Sequence, residues 1–480
     1  MSGNGQSVDA FTAEAINGTY PLLPEERKWG LKAIITIMLT SGLASWSYVI
    51  GGYVSYYLNA FMGSIAMCAG SLVGMMLVIF AGVPSSVRYG IDIITASKLS
   101  FGTRGYGIPL VAQFFSIVGW NTVLMVLLGQ AIGSGLYMAG VIDAEAKDGV
   151  ARIASVVGVF LIWLLLKNGA TGIQNASKYL SVLIVILAFA VFFFVVKQYG
   201  LEGIRTAEPS YADPDLKINY VLGFEILVGS VASWWAYIGG LTRMTGNPKH
   251  AMWPAAFCLG LATGLVSLIG LYTALVTGSP YPTDYLLTLA EGDVGFTTAT
   301  TIFAIVALLF LILASIGITV VGTYSGALGL KQLGAIKNMG WMKTCLIVLG
   351  PTAVISGGFP SWFSDNSGVF FALLGMSMGP LCGVMIADYL ILRKQNINLK
   401  ALYSESRGSD YYFFGGVNPA SIIGFLAGIA TYLSMLNPIT YEYHLLFEYL
   451  SATLPATIVA GAVYILVTKL AVAPRGLGGF

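Results

Sequence analysis

Residues 44–52 read Ala-Ser-Trp-Ser-Tyr-Val-Ile-Gly-Gly, and residues 232–240 read Ala-Ser-Trp-Trp-Ala-Tyr-Ile-Gly-Gly. The two stretches agree at six of nine positions. Each lies midway along an apolar segment, and each places small, hydroxyl and glycine residues where a membrane-crossing helix would lie deepest in lipid. The pair predicts two interrupted helices at equivalent places in two halves of the chain.

The composition places the chain in a lipid bilayer. Of its 480 residues, 56% are hydrophobic and 10% are charged. The mean hydropathy is +0.80, which excludes an ordinary soluble domain. A helix needs about 20 apolar residues to cross the hydrocarbon core, and about twelve such segments are predicted. They lie near residues 31–58, 62–83, 107–138, 152–167, 178–197, 220–241, 251–277, 297–329, 342–357, 367–391, 417–436 and 448–469.

The positions of the basic residues test this layout, because short cytoplasmic loops are enriched in Lys and Arg. All 24 Lys and Arg residues fall on the side of the N-terminus except Lys147, Arg152, Lys197, Arg205 and Lys217. Both termini are therefore predicted to be cytoplasmic, in a plasma or inner membrane. The net charge of +2 forms no nucleic-acid-binding stripe. Residues 1–28 lack the pattern of a cleavable signal peptide.

The repeat predicts how the chain is organised. The first stretch lies in helix 1 and the second in helix 6, which gives two units of five helices. Because five is odd, the second unit starts on the opposite side of the membrane. The predicted fold is an all-α polytopic membrane protein with a five-plus-five inverted-repeat core and two extra helices. The alternative is that Trp, Ser and Gly recur by chance in a chain with 59 Gly residues.

The predicted segments follow from this count. Residues 1–30 form a cytoplasmic segment, 31–197 the first repeat and 220–391 the second repeat. Residues 417–469 hold helices 11 and 12, and residues 470–480 form a cytoplasmic tail. The loop at 83–106 is longer than a turn and is predicted to hold a short interfacial helix.

Neither an enzyme site nor a metal site is predicted. The sequence has no nucleophile elbow, zinc-protease motif or phosphate-binding loop, and no predicted span contains His. The four Cys residues have no paired spacing and are interpreted as packing residues. No cofactor is expected. Matched weak points in two halves of a membrane protein instead indicate the substrate site of a transporter.

A broken helix exposes backbone carbonyls that a small hard cation can bind. The carbonyls of Thr40 and Leu43 precede the first break and are the predicted ligands. On helix 8, Ser315 and Thr319 share one face, and their hydroxyls would complete the shell. The alternative is that both hydroxyls bond back to the carbonyl four residues earlier.

Tryptophans deep in the spans are candidates for substrate binding. Trp46, Trp120 and Trp234 lie away from the membrane interfaces, where Trp usually gathers. Their faces could stack on a planar substrate, a contact worth roughly 1–3 kcal/mol per base in nucleic-acid binders. The hydroxyls and amide nearest to them could bind its polar edges; these are Ser45, Asn121 and Ser233. The alternative for any single Trp is core packing.

Few carboxylates fall within predicted spans, where ionisable groups are costly and often functional. Glu225 lies one to two turns inside helix 6 and is the candidate for proton coupling, or else faces an outer vestibule. Asp388 closes helix 10 and is expected to pair with Arg393 or Lys394.

Several motifs in order resemble the nucleobase:cation symporter-1 family, which includes cytosine, purine, hydantoin and allantoin transporters. They are Ser-Phe-Gly-Thr-Arg-Gly at 100–105, Val-Gly-Trp at 118–120, Gly-Pro-Leu-Cys-Gly-Val-Met-Ile-Ala-Asp-Tyr at 379–389 and Gly-Gly-Val-Asn-Pro at 415–419. The resemblance implies the five-plus-five inverted-repeat fold and alternating access around a midplane site. It also implies that Trp120 and Trp234 stack the base, and that Thr40 and Leu43 bind sodium through their carbonyls.

The predicted function is a secondary active symporter for a small planar nitrogen heterocycle, driven by sodium or protons and functional as a monomer. One alternative is a transporter of the same fold for an amino acid or another small charged metabolite. A second alternative is a membrane sensor that binds without transporting.

Overall fold

The computed structural model describes residues 20–168, 171–291, 298–404 and 406–480, so most of the predicted N-terminal segment lies outside the described residues. The described chain is almost entirely helical. Its longer helices are α1 (Leu31–Gly42), α2 (Ser45–Val54), α3 (Ala60–Tyr89), α4 (Ile93–Phe101), α5 (Gly107–Met138), α6 (Lys147–Leu165), α7 (Thr171–Thr206), α8 (Leu216–Ala232), α9 (Trp235–Thr242), α10 (Pro248–Thr277), α11 (Pro282–Glu291), α12 (Thr298–Leu330), α13 (Trp341–Gly358), α14 (Pro360–Asp365), α15 (Ser367–Leu392), α16 (Pro419–Met435) and α17 (Thr453–Arg475).

These helices account for all twelve predicted spans. Among the described residues, 8 helices are long and apolar enough to cross a membrane, and two bent pairs raise the number to 10. The bent pairs are α1 with α2, at 45°, and α8 with α9, at 42°. The two shorter helices α13 and α16 occupy the remaining predicted segments.

Some predicted helix ends differ from the structure. The fifth span was predicted at 178–197, whereas α7 runs from Thr171 to Thr206 with a non-helical Gly200 inside it. The last span was predicted at 448–469, whereas α17 begins at Thr453 and continues to Arg475. Hydropathy marks the part of a helix that lies in lipid, and polar turns extend a helix beyond that part without any hydropathy signal.

The first break is an extended residue between two helices. α1 ends at Gly42, and Ala44 has φ −78° and ψ 164°. Side chains then replace the missing helical bonds. The Ser47 hydroxyl donates to the Gly42 carbonyl at 2.9 Å, and the Trp46 indole N–H donates to the Ser41 carbonyl at 3.3 Å. Because these carbonyls find partners within the protein, the break is tolerated at membrane depth.

The second break is built differently. Ser233 and Trp234 keep helix-like dihedral angles, but their amides bond three residues back, to Ser230 and Val231. This is a tightened turn of the 3₁₀ type, which bends the axis without an extended residue. The two breaks therefore share a sequence pattern but not a backbone geometry.

The short helix predicted between spans 2 and 3 is confirmed as α4. Asp92 caps it by accepting the Thr95 amide at 3.1 Å. Its residues are mostly buried rather than interfacial. Arg393 donates to the Leu99 carbonyl and Asn418 donates to the Ser100 carbonyl, so neighbouring segments pack against it. The predicted pairing of Asp388 with Arg393 is also confirmed, at 2.8 Å between two buried side chains.

Candidate functional site

The two helix breaks meet at a cluster of three tryptophans. Trp46 lies just after the first break, Trp234 lies at the second, and Trp120 comes from α5. The ring centroid of Trp46 is 5.1 Å from that of Trp120 and 5.8 Å from that of Trp234. All three side chains are buried. The structure thus brings together the three tryptophans that the sequence predicts for substrate contact.

Trp120 is fixed to the second break by a hydrogen bond. Its indole N–H donates to the Ser233 hydroxyl at 2.8 Å, and that hydroxyl donates to the Ser230 carbonyl. The indole N–H therefore has the partner that a buried Trp requires. In this conformation the Ser233 hydroxyl connects α5 to the break.

Two phenylalanines of α15 cover Trp120. The Phe371 ring stacks on the Trp120 ring with centroids 5.5 Å apart, and the Phe370 ring meets it edge-on at 5.4 Å. Tyr53, at the end of α2, packs edge-on against Phe371 and donates its hydroxyl to the Ser364 carbonyl. This aromatic layer closes the cluster on the side of α14.

The space left between the rings is small. A cavity of about 20 Å³ is lined by Trp46, Trp120, Leu124, Ser233, Trp234, Tyr237 and Ile318. One water molecule needs about 10–15 Å³ of such space, so the cavity has room for about one water. The site is closed around this small cavity, and a ring-sized ligand requires lining side chains to move.

Asn121 lies outside the lining of this cavity. Its amide N–H donates to the Thr323 hydroxyl of α12 at 3.2 Å. Its carbonyl oxygen faces Gly322, where a Cβ would lie only 2.6 Å away. Asn121, a predicted substrate contact, therefore does not face the cavity in this conformation, because its amide is hydrogen-bonded to α12.

One candidate cation residue of α12, Ser315, reaches the first break. The hydroxyl of Ser315 on α12 lies 3.2 Å from that of Ser45, the first residue of α2. Thr319 instead donates its hydroxyl to the Ser315 carbonyl at 2.8 Å, which is the local bond considered as the alternative. The Thr40 hydroxyl likewise donates to the Thr36 carbonyl, and Leu43 is the residue that follows α1. Ser315 is thus the α12 hydroxyl that reaches the break.

Glu225 lies elsewhere, at the start of α17. Its carboxylate accepts the amides of Ala452 and Thr453 and the Thr453 hydroxyl. A negative group at a helix N-terminus is favoured by the exposed N–H groups there. The structure does not bring Glu225 to the tryptophan cluster or to the cation residues.

The family described as permeases for cytosine/purines, uracil, thiamine and allantoin matches residues 21–449. The chain belongs to this permease family. The fold class and the transport function predicted from the sequence are therefore confirmed, and the permease is not an enzyme.

Characterised relatives are distant but similar over nearly the full length. The permease is 23% identical to a purine-uracil permease of Arabidopsis thaliana, covering 92% of this chain and 76% of the relative. It is 23% identical to the cytosine permease of Escherichia coli K12, covering 87% and 93%. The allantoin permease of Bacillus subtilis is 22% identical, with 90% of each chain covered.

Solved structures share the fold. A nucleobase-cation-symport-1 family transporter, closed with bromovinylhydantoin bound, matches with a TM-score of 0.77, 17% identity and 94% of each chain covered. Its inward-facing conformation matches at 0.75, with 16% identity, 95% of this chain and 94% of that chain covered. A sodium-coupled sialic acid symporter matches at 0.55, with 12% identity and 96% of each chain covered.

Some residues at the permease's site are not among those that the sequence predicts. Leu124 and Tyr237 follow Trp120 and Trp234 by one helical turn, so helical spacing could have predicted both. Ile318 and Phe371 carried no such signal. They belong to α12 and α15, and only tertiary packing brings those helices to the cluster.

Proposed function

We propose that this permease binds a small planar nitrogen heterocycle between Trp120 and Trp234 and carries it across the membrane together with sodium. One observation carries the proposal: three buried tryptophans from three helices meet where both broken helices are interrupted. Flat aromatic faces bind planar rings by stacking. Relatives named for cytosine, purine-uracil and allantoin transport support the same substrate class.

The closed cavity indicates how the ligand would enter. Trp46 contacts the rings of both Trp120 and Trp234. A heterocycle placed between those two rings would replace the contacts that Trp46 makes here. Ser233 lines the cavity, and Ser45 precedes Trp46 at the start of α2. Their hydroxyls would bind the polar edges of the ligand once each exchanges its present partners.

Sodium is the proposed coupling ion. The short distance between the Ser45 and Ser315 hydroxyls joins α12 to the first break. Oxygen ligands from hydroxyls and from the carbonyls of Thr40 and Leu43 suit a small hard cation. The position of Glu225, away from this site, supports sodium over protons.

The organisation of the chain is part of the proposal. We infer inverted repeats at 31–197 and 220–391, and cytoplasmic termini in a plasma or inner membrane. The distribution of Lys and Arg supports this orientation. A monomer is the proposed unit.

Uptake into proteoliposomes tests the function. Radiolabelled nucleobases, hydantoins and allantoin are offered under a sodium gradient, under a proton gradient and under neither. We expect accumulation of one heterocycle with sodium, and no competition from amino acids. Displacement by an amino acid alone would contradict the substrate class, and binding without accumulation under any gradient would indicate a sensor.

A further inference from the structure

Each half of the opening repeat ends in a Gly-Gly pair that follows a helix break. Gly51 and Gly52 lie in α2, and Gly239 and Gly240 lie in α9. Three of these four glycines touch the backbone of another segment so closely that no side chain fits. The fourth, Gly240, has no atom within 4 Å of the position of a Cβ.

On α2, the contact is with the segment that leads into α11. A Cβ on Gly52 would lie 2.2 Å from the Pro280 carbonyl oxygen and 2.5 Å from the Pro280 Cα. A Cβ on Gly51 would lie 1.9 Å from the Ser267 carbonyl oxygen of α10. The half-helix after the first break is therefore in backbone contact with α10 and with the start of α11.

On α9, the contact is with the start of α4. A Cβ on Gly239 would lie 2.5 Å from the Ile93 amide nitrogen and 3.0 Å from its Cα. Ile93 is the first residue of α4. The short helix α4 follows span 2 and α11 follows span 7, and these spans occupy equivalent places in the two repeats. The same relationship thus occurs once in each repeat.

Each short helix is tied in turn to other segments. Next to α4, the Asp92 carboxylate accepts two bonds from the Gln332 amide, beyond the end of α12, at 2.9 and 3.0 Å. The Leu99 carbonyl accepts from Arg393, the residue that follows α15. Before α11, Tyr281 lines an outer cavity of about 240 Å³ together with Ser364.

A contact between two backbones transmits displacement more directly than a contact between side chains. Side chains can change rotamer and absorb a shift, whereas packed backbones move together or separate. We propose that Gly52 and Gly239 are positioning residues for transport. Through the contact at Gly52, a displacement of α2 displaces α11 on the outer side. Through the contact at Gly239, a displacement of α9 displaces α4 on the inner side. This inference rests on the proposed function.

The chain offers a matched pair of variants to test it. Gly239→Ala forces α9 away from α4, whereas Gly240→Ala adds the same methyl group one residue later into open space. Substrate binding in detergent and uptake into proteoliposomes are measured for both. We expect Gly240→Ala to behave as the parent protein. Gly239→Ala is expected to retain binding and to lose uptake by about tenfold, within the range known for residues that modulate coupling.

A variant that binds substrate but no longer carries it has lost the coupling between helix movements. A purely structural defect would reduce binding and uptake together. Equal uptake by Gly239→Ala and Gly240→Ala would overturn the proposal. A parent protein that neither binds nor carries any heterocycle would instead contradict the proposed function, so the two failures are distinguishable.

A second measurement uses the parent protein alone and does not depend on the folding of a variant. Amide hydrogen exchange is followed in the parent protein with and without substrate and sodium, since exchange reports local opening. We expect protection of the amides at the starts of α4 and α11 to change together with that of α9 and α2. Unchanged exchange in α4 and α11, while α2 and α9 respond, would overturn the proposal.

Discussion

The indole N–H of Trp120 donates a 2.8 Å hydrogen bond to the hydroxyl of Ser233, two residues that lie 113 positions apart. This bond joins α5 to the break between α8 and α9. Phe371 of α15 stacks on the same indole ring. Trp120 therefore contacts both the second break and α15.

The tryptophan rings should supply most of the binding energy. Trp120→Ala and Trp234→Ala are each expected to weaken binding by about 5- to 150-fold, from the loss of about 1–3 kcal/mol of stacking. Equilibrium binding of the radiolabelled substrate measures the loss. Trp253→Ala is the matched control, since Trp253 is 61% exposed and stacks on Phe257 away from the site. Unchanged affinity in both site variants would remove the stacking proposal.

Ser233 should act through Trp120. Ser233→Ala leaves the indole N–H buried without its acceptor, which costs about 1–3 kcal/mol. We expect a lower thermal unfolding temperature and weaker binding. Ser377→Ala serves as the control, because that hydroxyl of α15 only bonds back within its own helix. If both variants unfold and bind like the parent protein, Trp120 does not depend on this bond.

Sodium coupling should depend on Ser315. Loss of an oxygen ligand in Ser315→Ala is expected to raise the sodium concentration for half-maximal uptake on the order of tenfold, or about 1.4 kcal/mol. Uptake is measured over a sodium titration at fixed substrate. Ser325→Ala is the control on the same helix, since its hydroxyl bonds back to Val321. An identical sodium dependence for the two variants would exclude Ser315 from the cation site.

Glu225 should stabilise the appended helices rather than carry the coupling proton. Glu225→Ala removes the acceptor for the Ala452 and Thr453 amides, which costs about 1–3 kcal/mol for an unsatisfied buried group. We expect a lower unfolding temperature for Glu225→Ala. For Glu225→Gln, we expect sodium-driven uptake close to that of the parent protein.

The exposed Glu145 supplies the control for this pair of variants, since Glu145→Ala should change neither property. A Glu225→Gln variant that folds normally but no longer accumulates substrate would restore the proton-coupling hypothesis.

Local chemistry explains why the breaks, the spans and the tryptophans could be predicted. Glycine and hydroxyl residues in an apolar segment weaken a helix wherever that helix packs, and Trp deep in a span needs a partner for its indole N–H. The roles of Thr319 and Asn121 could not be decided in the same way. The Thr319 hydroxyl donates to the carbonyl four residues earlier, and the Asn121 amide donates to the Thr323 hydroxyl in a different helix.

The sequence by itself determined a membrane protein with about twelve helices, two of them broken, because hydropathy, residue size and helical spacing act over a few turns. Only the tertiary structure decided which groups meet at those breaks. Ser45 with Ser315, Trp120 with Phe371, and Glu225 with Thr453 are each more than 200 residues apart. Their pairing depends on how whole helices pack, and no local pattern records that arrangement.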